Sequence, residues 1–423
     1  MRFSPPSYNT KIDRTIENTM ITEKNQAADP GLSSSDFSSP WYRLQTLIQD
    51  VDVTGRLIIV GDVHGHLAEL KSLLQKVSYD KNNGDHLIFV GDLVNKGPDS
   101  PGVVQLAKDL GANAIRGNNE DRVLAAHSAL KRGESSGLIE RLKRLALEEE
   151  KKTGDQPAPT EPKTDLKSLA PEDLKPYSAE SDFATAATLS DEQISWLASQ
   201  PLILRIKLKR GATAPPWNSG TLLVVHGGLV PLLPLEEQDP WAVMNMRGLV
   251  YPDPDANVTD EVRASLLKGA KCRARRYAAF EDVTDAEFRA KLARMADLVK
   301  NGEGFSGEYK EGKIGFPLES REGDWWIDAW NRWQNSIEDP EQRSVVVYGH
   351  DARVGLQVGA EETVSEKDDS EKAARYTYGL DSGCVYGRSL TAMVISEKED
   401  GAGLSHSIVQ VDAVKEDKEE QTV

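Results

Sequence analysis

Five short segments of this chain combine an apolar, mostly β-branched run with a glycine and an Asp, Asn or His, and the glycine comes before the polar residue in all of them except LVVHGG. The segments are IIVGDVHGH (58–66), IFVGDLVNKGPDS (88–100), IRGNNEDR (115–122), LVVHGG (223–228) and VVVYGHDAR (345–353). Runs of this kind are typical of buried strands that end at a shared edge of a sheet. Together they supply six oxygen or nitrogen ligands: Asp62, His64, Asp92, Asn118, His226 and His350. Such a set can hold two divalent cations about 3.5–4 Å apart with a bridging hydroxide, the arrangement used for in-line attack on phosphorus.

Strands and helices alternate in the first third of the chain. The spacing of apolar residues predicts strands at Arg56–Val60, Asp85–Val90 and Asn113–Arg116, and helices at Leu67–Val77, Gly102–Leu110 and Glu120–Lys131. This alternation predicts an α/β fold with polar residues at the carboxyl ends of the strands. Later segments extend the prediction, with helices at Trp41–Asp50, Ser190–Ser199, Thr259–Lys300 and Trp325–Trp333 and strands at Leu202–Lys209, Leu222–Val225, Tyr376–Ser389 and Thr391–Ser396. For the tryptophans of 325–333, packing on the core is favoured over a base-stacking platform.

Composition limits the domain organisation and the partners. The motifs extend through most of the 423 residues, which favours one domain with polar insertions over several small domains. We predict tails at 1–40 and 412–423, a domain at 41–411, insertions at about 135–190 and 251–325, and an acidic loop at about 360–374. The net charge of −17 excludes general nucleic-acid or membrane-surface binding. Two cysteines and no apolar run of about 20 residues favour a cytoplasmic protein without a membrane segment.

The motifs GDxHG, GDxxxxG, GN(x)E, HGG and GH, in this order, resemble those of the calcineurin-like metallophosphoesterases, which include the serine/threonine protein phosphatases. The stretches GDLVNKGPDS and LDSGCVYGRSLTAMV are similar to the bacterial symmetrical diadenosine tetraphosphatase. The pair Asn95–Lys96 resembles the corresponding pair of the eukaryotic ApaH-like phosphatases. The fungal members of that group include a vacuolar zinc-dependent endopolyphosphatase. The resemblance implies a two-sheet αββα sandwich with helical insertions, and it makes a vacuolar location the alternative to the cytoplasm.

The same resemblance implies a division of the six ligands. Asp62 and His64 would hold the first metal, and Asp92 would bridge both metals as the central catalytic residue. The second metal would be held by Asn118, His226 and His350. Because the set contains no thiolate, it suits Zn, Mn, Fe or Co without deciding between them.

Asn119 is the most informative departure from the protein phosphatases. They have a His at this position, oriented by an Asp at the position of Asn95. That His protonates a leaving alkoxide, which is worth about 10²–10⁴ in rate. A phosphoanhydride leaves as a stable anion, so the paired change to Asn indicates anhydride substrates. Glu120 or Asp121 could still supply a proton, and a degraded enzyme is the alternative that the complete ligand set argues against.

Three basic side chains are candidate substrate-binding residues. Lys96 stands where protein phosphatases have a phosphate-binding Arg, and Arg122 and Arg353 follow ligand segments. The basic run Lys268–Arg276 stands out in an acidic chain and could bind a polyanion.

We therefore expect a metal-dependent endopolyphosphatase that cleaves inorganic polyphosphate. The alternatives are a dinucleoside polyphosphate or mRNA-cap hydrolase, a protein phosphatase, and a non-catalytic phosphate sensor.

Overall fold

A computed structural model describes residues 47–53, 55–132, 179–208, 214–252, 305–306, 314–321, 323–359, 374–398, 401 and 403–413. Its strands are β1 (Ile48–Val51), β2 (Leu57–Val60), β3 (His86–Phe89), β4 (Asn113–Ala114), β5 (Ile203–Lys207), β6 (Thr221–Val224), β7 (Gly248–Pro252), β8 (Phe305–Ser306), β9 (Phe316–Leu318), β10 (Asp324–Trp325), β11 (Ser344–Tyr348), β12 (Thr377–Gly379), β13 (Ser389–Glu397) and β14 (Leu404–Asp412). Its α-helices are α1 (Leu67–Lys76), α2 (Ser100–Leu110), α3 (Asn118–Arg132), α4 (Ala179–Thr188), α5 (Asp191–Ser199), α6 (Pro240–Asn245) and α7 (Trp326–Ser336).

The strands form two five-stranded sheets and one small sheet. One large sheet has the order β14-β13-β2-β3-β4, and the other has the order β1-β5-β6-β11-β12. Within them, β2, β3 and β4 run parallel, and so do β6, β11 and β12. The carboxyl ends of parallel neighbours meet at one edge of a sheet, so each triplet collects the residues that follow its strands at one place. The small sheet contains β7, β8, β9 and β10.

Two apolar cores hold the layers together. The first lies between the two large sheets and continues to α6 and α7, and its buried members include Ile59, Ile88, Val224 and Trp330. The second packs α1 to α5 on the other face of the β2–β3–β4 sheet. Central strands such as β2 consist of continuous apolar runs, because the side chains on both faces of the strand are buried. The predicted αββα sandwich is confirmed. No helix in the described part of the chain is long and apolar enough to cross a membrane.

Several predicted elements differ from the structure. The helix expected at Trp41–Asp50 is wrong where the structure describes it, because Ile48–Val51 pairs in parallel with Ile203–Ile206 as an edge strand. The third helix begins at Asn118, earlier than predicted. Of the segment predicted as a strand at Tyr376–Ser389, only Thr377–Gly379 and the last residue, Ser389, are in strands. A short 3₁₀ helix at Cys384–Tyr386 lies between them, flanked by two glycines with positive φ.

Other predictions agree with the structure or lie outside it. Ser190 caps α5, and its reciprocal partner is Gln193 in a capping box. Helix α7 buries Trp326 and Trp330 on the core, as predicted, whereas Trp325 stays 36% exposed. Strand β14 was not predicted. The predicted tail at 412–423 begins too early, because Asp412 is the last residue of β14. The tail at 1–40, the chain from 414 on, the helix at Thr259–Lys300, the basic run at 268–276 and most of the acidic loop lie outside the described residues.

Candidate metal centre

The six predicted ligands lie together where the two sheets present their carboxyl ends. Asp92 stands in the middle: its carboxylate lies 3.5 Å from Nε2 of His64 and 3.3 Å from Nε2 of His226. On the first side, Nε2 of His64 lies 4.0 Å from the carboxylate of Asp62. On the other side, Nε2 of His226 lies 3.0 Å from Oδ1 of Asn118 and 3.2 Å from Nδ1 of His350. The geometry thus has two pockets that share Asp92.

Backbone carbonyl groups fix the three imidazoles. Nδ1 of His226 lies 2.8 Å from the carbonyl of Val90, and Nδ1 of His64 lies 3.2 Å from the carbonyl of Val94. Nε2 of His350 lies 3.1 Å from the carbonyl of Asn245. Because a carbonyl only accepts hydrogen bonds, each of these nitrogens carries a proton, which leaves the other nitrogen of each ring to coordinate a cation at the centre.

The donor set fits divalent cations. Nε2 of His226 faces both Asn118 and Nδ1 of His350 at 3.0–3.2 Å, beside the carboxylate of Asp92. The Asn118 amide can present either its NH₂ group or its oxygen to this group of acceptors, and a cation would select the oxygen. Asp62, Asp92 and His226 bring ligand atoms within 4.8 Å of one another. Nitrogen and oxygen donors without thiolate suit Zn, Mn, Fe or Co.

Unusual backbone geometry marks the same residues. His64, Asp92 and His350 have positive φ values of 46°, 52° and 74°. Such left-handed conformations cost about 1–3 kcal/mol for residues other than Gly and cluster at functional sites. The motif glycines allow close approach: a Cβ at Gly349 would lie 2.0 Å from Oδ1 of Asp62, and one at Gly117 would lie 2.3 Å from Oδ1 of Asp92.

Buried charge surrounds the first pocket. Nζ of Lys96 lies 2.9 Å from Nε2 of His64. Burial, and then the charge of Lys96, lower the pKa of His64 to about 3, so its imidazole is neutral at neutral pH. A further carboxylate, Asp381, follows β12 and is 3% exposed. Burial, and then Asp381, raise the pKa of Asp62 well above its usual range. Cations at this place would relieve the repulsion between these carboxylates.

Glu120 holds the loop that carries Asp92. Its carboxylate accepts hydrogen bonds from the backbone N–H groups of Asp92 (2.8 Å), Gly117 (2.8 Å), Leu93 (2.7 Å) and Val94 (3.2 Å). Burial, and then the charge of Asp92, raise the pKa of Glu120 to about 7. With both oxygens engaged by the backbone, the carboxylate of Glu120 positions the loop, and a role as proton donor is disfavoured.

The other predicted site residues lie in different surroundings. Nδ2 of Asn119 donates to Oδ2 of Asp92 at 2.6 Å. Arg122 forms an ion pair with Asp182 through two of its nitrogens, both 2.9 Å from Oδ2, so a role in substrate binding would require this pair to open. Arg353 is exposed in the turn after His350. The roles assigned to these residues stay predictions.

A cleft with aromatic and cationic walls adjoins the second pocket. The residues that line it include His350, Asp381, Arg247, Arg321 and Trp325. Asp351 holds both arginines: its carboxylate lies 3.0 Å from Nε of Arg321 and 3.6 Å from Nε of Arg247. Two guanidinium groups beside a metal centre can bind phosphate oxygens, because their planar N–H groups match that geometry.

Sequence reasoning missed four of these residues. Asp381 carried a usable signal, since it follows an apolar residue and a glycine at the end of β12, like the ligands themselves. Arg247, Arg321 and Asp182 lie in segments without a strand-end pattern. Their positions depend on contacts between residues that are far apart in the chain.

Comparison with known proteins gives the family. The family model for calcineurin-like phosphoesterases matches residues 55–276. The chain is 29% identical over 173 residues to the symmetrical bis(5'-nucleosyl)-tetraphosphatase of Pectobacterium atrosepticum, covering 39% of this chain and 46% of the relative. It is 39% identical over 85 residues to the protein of that name from Buchnera aphidicola, covering 20% of this chain and 30% of the relative. The matches thus span less than half of these relatives.

A solved structure assigned as a diadenosine tetraphosphatase aligns with a TM-score of 0.41 and 26% identity, covering 87% of this chain and 99% of that one. Because the family model matches more than half of the chain, the protein belongs to the calcineurin-like phosphoesterases. This family is metal-dependent, so divalent cations are implied, and Asp62, Asp92 and His226 form a candidate site for them.

Proposed function

We propose that this protein hydrolyses phosphoanhydride bonds at a centre of two divalent cations. The six candidate ligands, with Asp92 in the middle, would hold the ions. Bound cations would supply an activated water and withdraw charge from the phosphoryl oxygens. The protein's own contribution is to fix the three imidazoles by backbone carbonyls and to hold the Asp92 loop through Glu120.

The side-chain amides of Asn95 and Asn119 favour the cleavage of phosphoanhydride bonds over phosphate esters. Nδ2 of Asn95 donates to Oδ1 of Asn119 at 3.2 Å, and Asn119 in turn donates to Asp92. An amide donates a hydrogen bond but does not release a proton. A leaving alkoxide needs a proton, whereas a phosphate or nucleotide leaves as an anion that cations and hydrogen bonds stabilise. The site is therefore suited to anhydrides rather than to phosphoserine esters.

Dinucleoside polyphosphates are the substrates that the cleft favours. Trp325 contributes a partly exposed indole to its wall, and aromatic faces stack on bases with about 1–3 kcal/mol each. Arg247 and Arg321 line the same cleft as this indole and His350, and their guanidinium groups are suited to the phosphates. The relatives named as symmetrical bis(5'-nucleosyl)-tetraphosphatases support the same substrate class.

Inorganic polyphosphate is the second candidate. It has no base to stack, and its support is the basic run of five Lys and Arg residues at 268–276 in a chain of net charge −17. A cytoplasmic location, favoured by the two cysteines, belongs to the proposal as well.

Initial rates on diadenosine tetraphosphate, tripolyphosphate and a phosphoserine peptide test the proposal. Both anhydrides should be cut about 10²-fold faster than the ester. Trp325→Ala should raise the KM for the dinucleotide and leave tripolyphosphate unaffected. Tyr386→Ala, an exposed aromatic outside the cleft, is the matched control. Equal rates on ester and anhydride would contradict anhydride specificity, and equal effects of both aromatic variants would contradict the base-binding cleft.

A further inference from the structure

Helix α4, which belongs to the inserted region after α3, reaches the active site with three buried side chains. Ser181 and Thr185 are fully buried, and Asp182 is 8% exposed. All three contact the side chain of Asn95: Oγ of Ser181 at 3.3 Å, Oγ1 of Thr185 at 3.1 Å and Oδ1 of Asp182 at 2.7 Å. A helix from an insertion therefore contacts Asn95, the residue that stands where the protein phosphatases have an Asp, through three side chains.

These contacts fix the orientation of the Asn95 amide. Its Oδ1 accepts from the backbone N–H of Lys96 at 3.1 Å, and a backbone N–H can only donate. Its Nδ2 donates to Oδ1 of Asp182, and an ionised carboxylate can only accept. A reversed amide would face donor with donor and acceptor with acceptor, so this orientation is the stable one.

The orientation passes to the next amide. Because Nδ2 of Asn95 donates to Oδ1 of Asn119, the NH₂ group of Asn119 must face the other way, toward Oδ2 of Asp92. Asn95 thus donates to both of its neighbours, Asp182 and Asn119, and Asn119 donates onward to the central carboxylate of Asp92. Arg122 anchors Asp182, since both contacting nitrogens of Arg122 bind Oδ2 of that carboxylate and leave Oδ1 to Asn95.

We propose that Asp182 is a positioning residue that sets the leaving-group preference of the site. Through Asn95 it keeps the NH₂ of Asn119 beside Asp92, where Asn119 donates a hydrogen bond and cannot release a proton. The part of this inference that concerns leaving groups rests on the proposed function. Asp182 also excludes the alternative dyad: an Asp at residue 95 would place a second carboxylate about 2.7 Å from that of Asp182, and like charges this close destabilise the ionised pair.

The first test asks whether Asp182 positions the site. Asp182→Ala and the nearly isosteric Thr185→Val should each lower kcat on diadenosine tetraphosphate, about 10-fold or more for Asp182→Ala, with KM within twofold. Asp191→Ala is the control, because Asp191 pairs with Lys131 and His127 on the neighbouring helix and makes no contact with Asn95 among the described residues. Selective ¹⁵N-Asn labelling of the metal-free protein gives a second measurement. The side-chain amide signal of Asn119, assigned with Asn119→Asp, should shift in Asp182→Ala and in Thr185→Val, but not in the control.

The second test asks whether Asp182 selects the leaving group. Asn95→Asp with Asn119→His should gain little ester hydrolysis, whereas adding Asp182→Asn should raise ester turnover at least 10-fold over the double variant. Equal kcat and Asn119 signals in Asp182→Ala and Asp191→Ala would overturn the positioning role. Equal ester turnover in the double and triple variants would overturn the role in selection. A wild-type preference for esters would instead overturn the proposed function, and the comparison with Asp191→Ala would still decide the positioning role.

Discussion

Gly349 is the position where the smallest change should damage the site most. Its added Cβ in Gly349→Ala would lie 2.0 Å from Oδ1 of Asp62 and 2.7 Å from Cγ2 of Val90, and real Cβ contacts essentially never fall below 3.0 Å. The carboxylate of Asp62 must therefore move by about 1 Å, since Val90 lies in the rigid core. Asp62 also accepts from the backbone N–H of His350 at 3.0 Å, so the displacement strains the loop of a second ligand.

A shift of about 1 Å is large for a metal ligand, whose distances vary by about 0.2 Å. We expect Gly349→Ala to lower kcat/KM on diadenosine tetraphosphate by roughly 10²-fold. The bound metal per chain should fall as well. Metal content is measured by mass spectrometry after gel filtration, and rates are measured at rising divalent concentration, which should restore part of the activity.

Gly401→Ala is the control for this experiment. Nothing lies within 4 Å of its added Cβ, and its positive φ of 69° should cost about 1–2 kcal/mol of folding stability without disturbing the metal. Urea unfolding measures this cost. If Gly349→Ala keeps the wild-type metal content and its kcat/KM within threefold, Asp62 does not bind a metal at the proposed place.

Three further predictions concern other parts of the molecule. Chelation should abolish activity and a divalent metal should restore it, and Asp92→Asn should be the most damaging single ligand change because Asp92 lies between both pockets; near-normal turnover of that variant would rule out the bridging position. Ser190→Ala removes the capping box of α5 and should lower the free energy of unfolding by about 1 kcal/mol in urea, an effect that Ser190→Asp should largely avoid. Burial raises the pKa of the Cys384 thiol to about 12, so a Cys272→Ser variant should react slowly with a thiol reagent at pH 8 until it is unfolded; rapid labelling of the native protein would show that the thiol is accessible.

The sequence predicted which polar residues come together at the candidate metal centre, because their signal is local. Each of them follows an apolar strand, and parallel strands necessarily bring their carboxyl ends together. The structure accordingly places His226 and His350 beside Asp92, although more than a hundred residues separate them in the chain. The same local rule also covers Asp381, which follows β12.

Elements that depend on a partner could not be predicted in the same way. Ile48–Val51 has apolar residues that suit an edge strand or a short helix, and its pairing with β5 decides between them. Strand β14 is only partly buried and pairs with β13 along nine residues. Its sequence, LSHSIVQVD, shows only a weak alternation of apolar and polar residues. The segment forms a strand because it pairs with β13.

The chemistry of the site depends on groups that carry little sequence information. The proton positions of the three imidazoles are set by the backbone carbonyls of Val90, Val94 and Asn245, and any residue type has such a carbonyl. The direction of the Asn95 amide is likewise set by the N–H of Lys96 and by Asp182, which is 87 residues away. Residue types at the motifs therefore predict which atoms can bind metal. Which of these groups donates or releases a proton to a leaving group depends on the packing of α4, and substitutions at 95 and 119 are best interpreted together with Asp182.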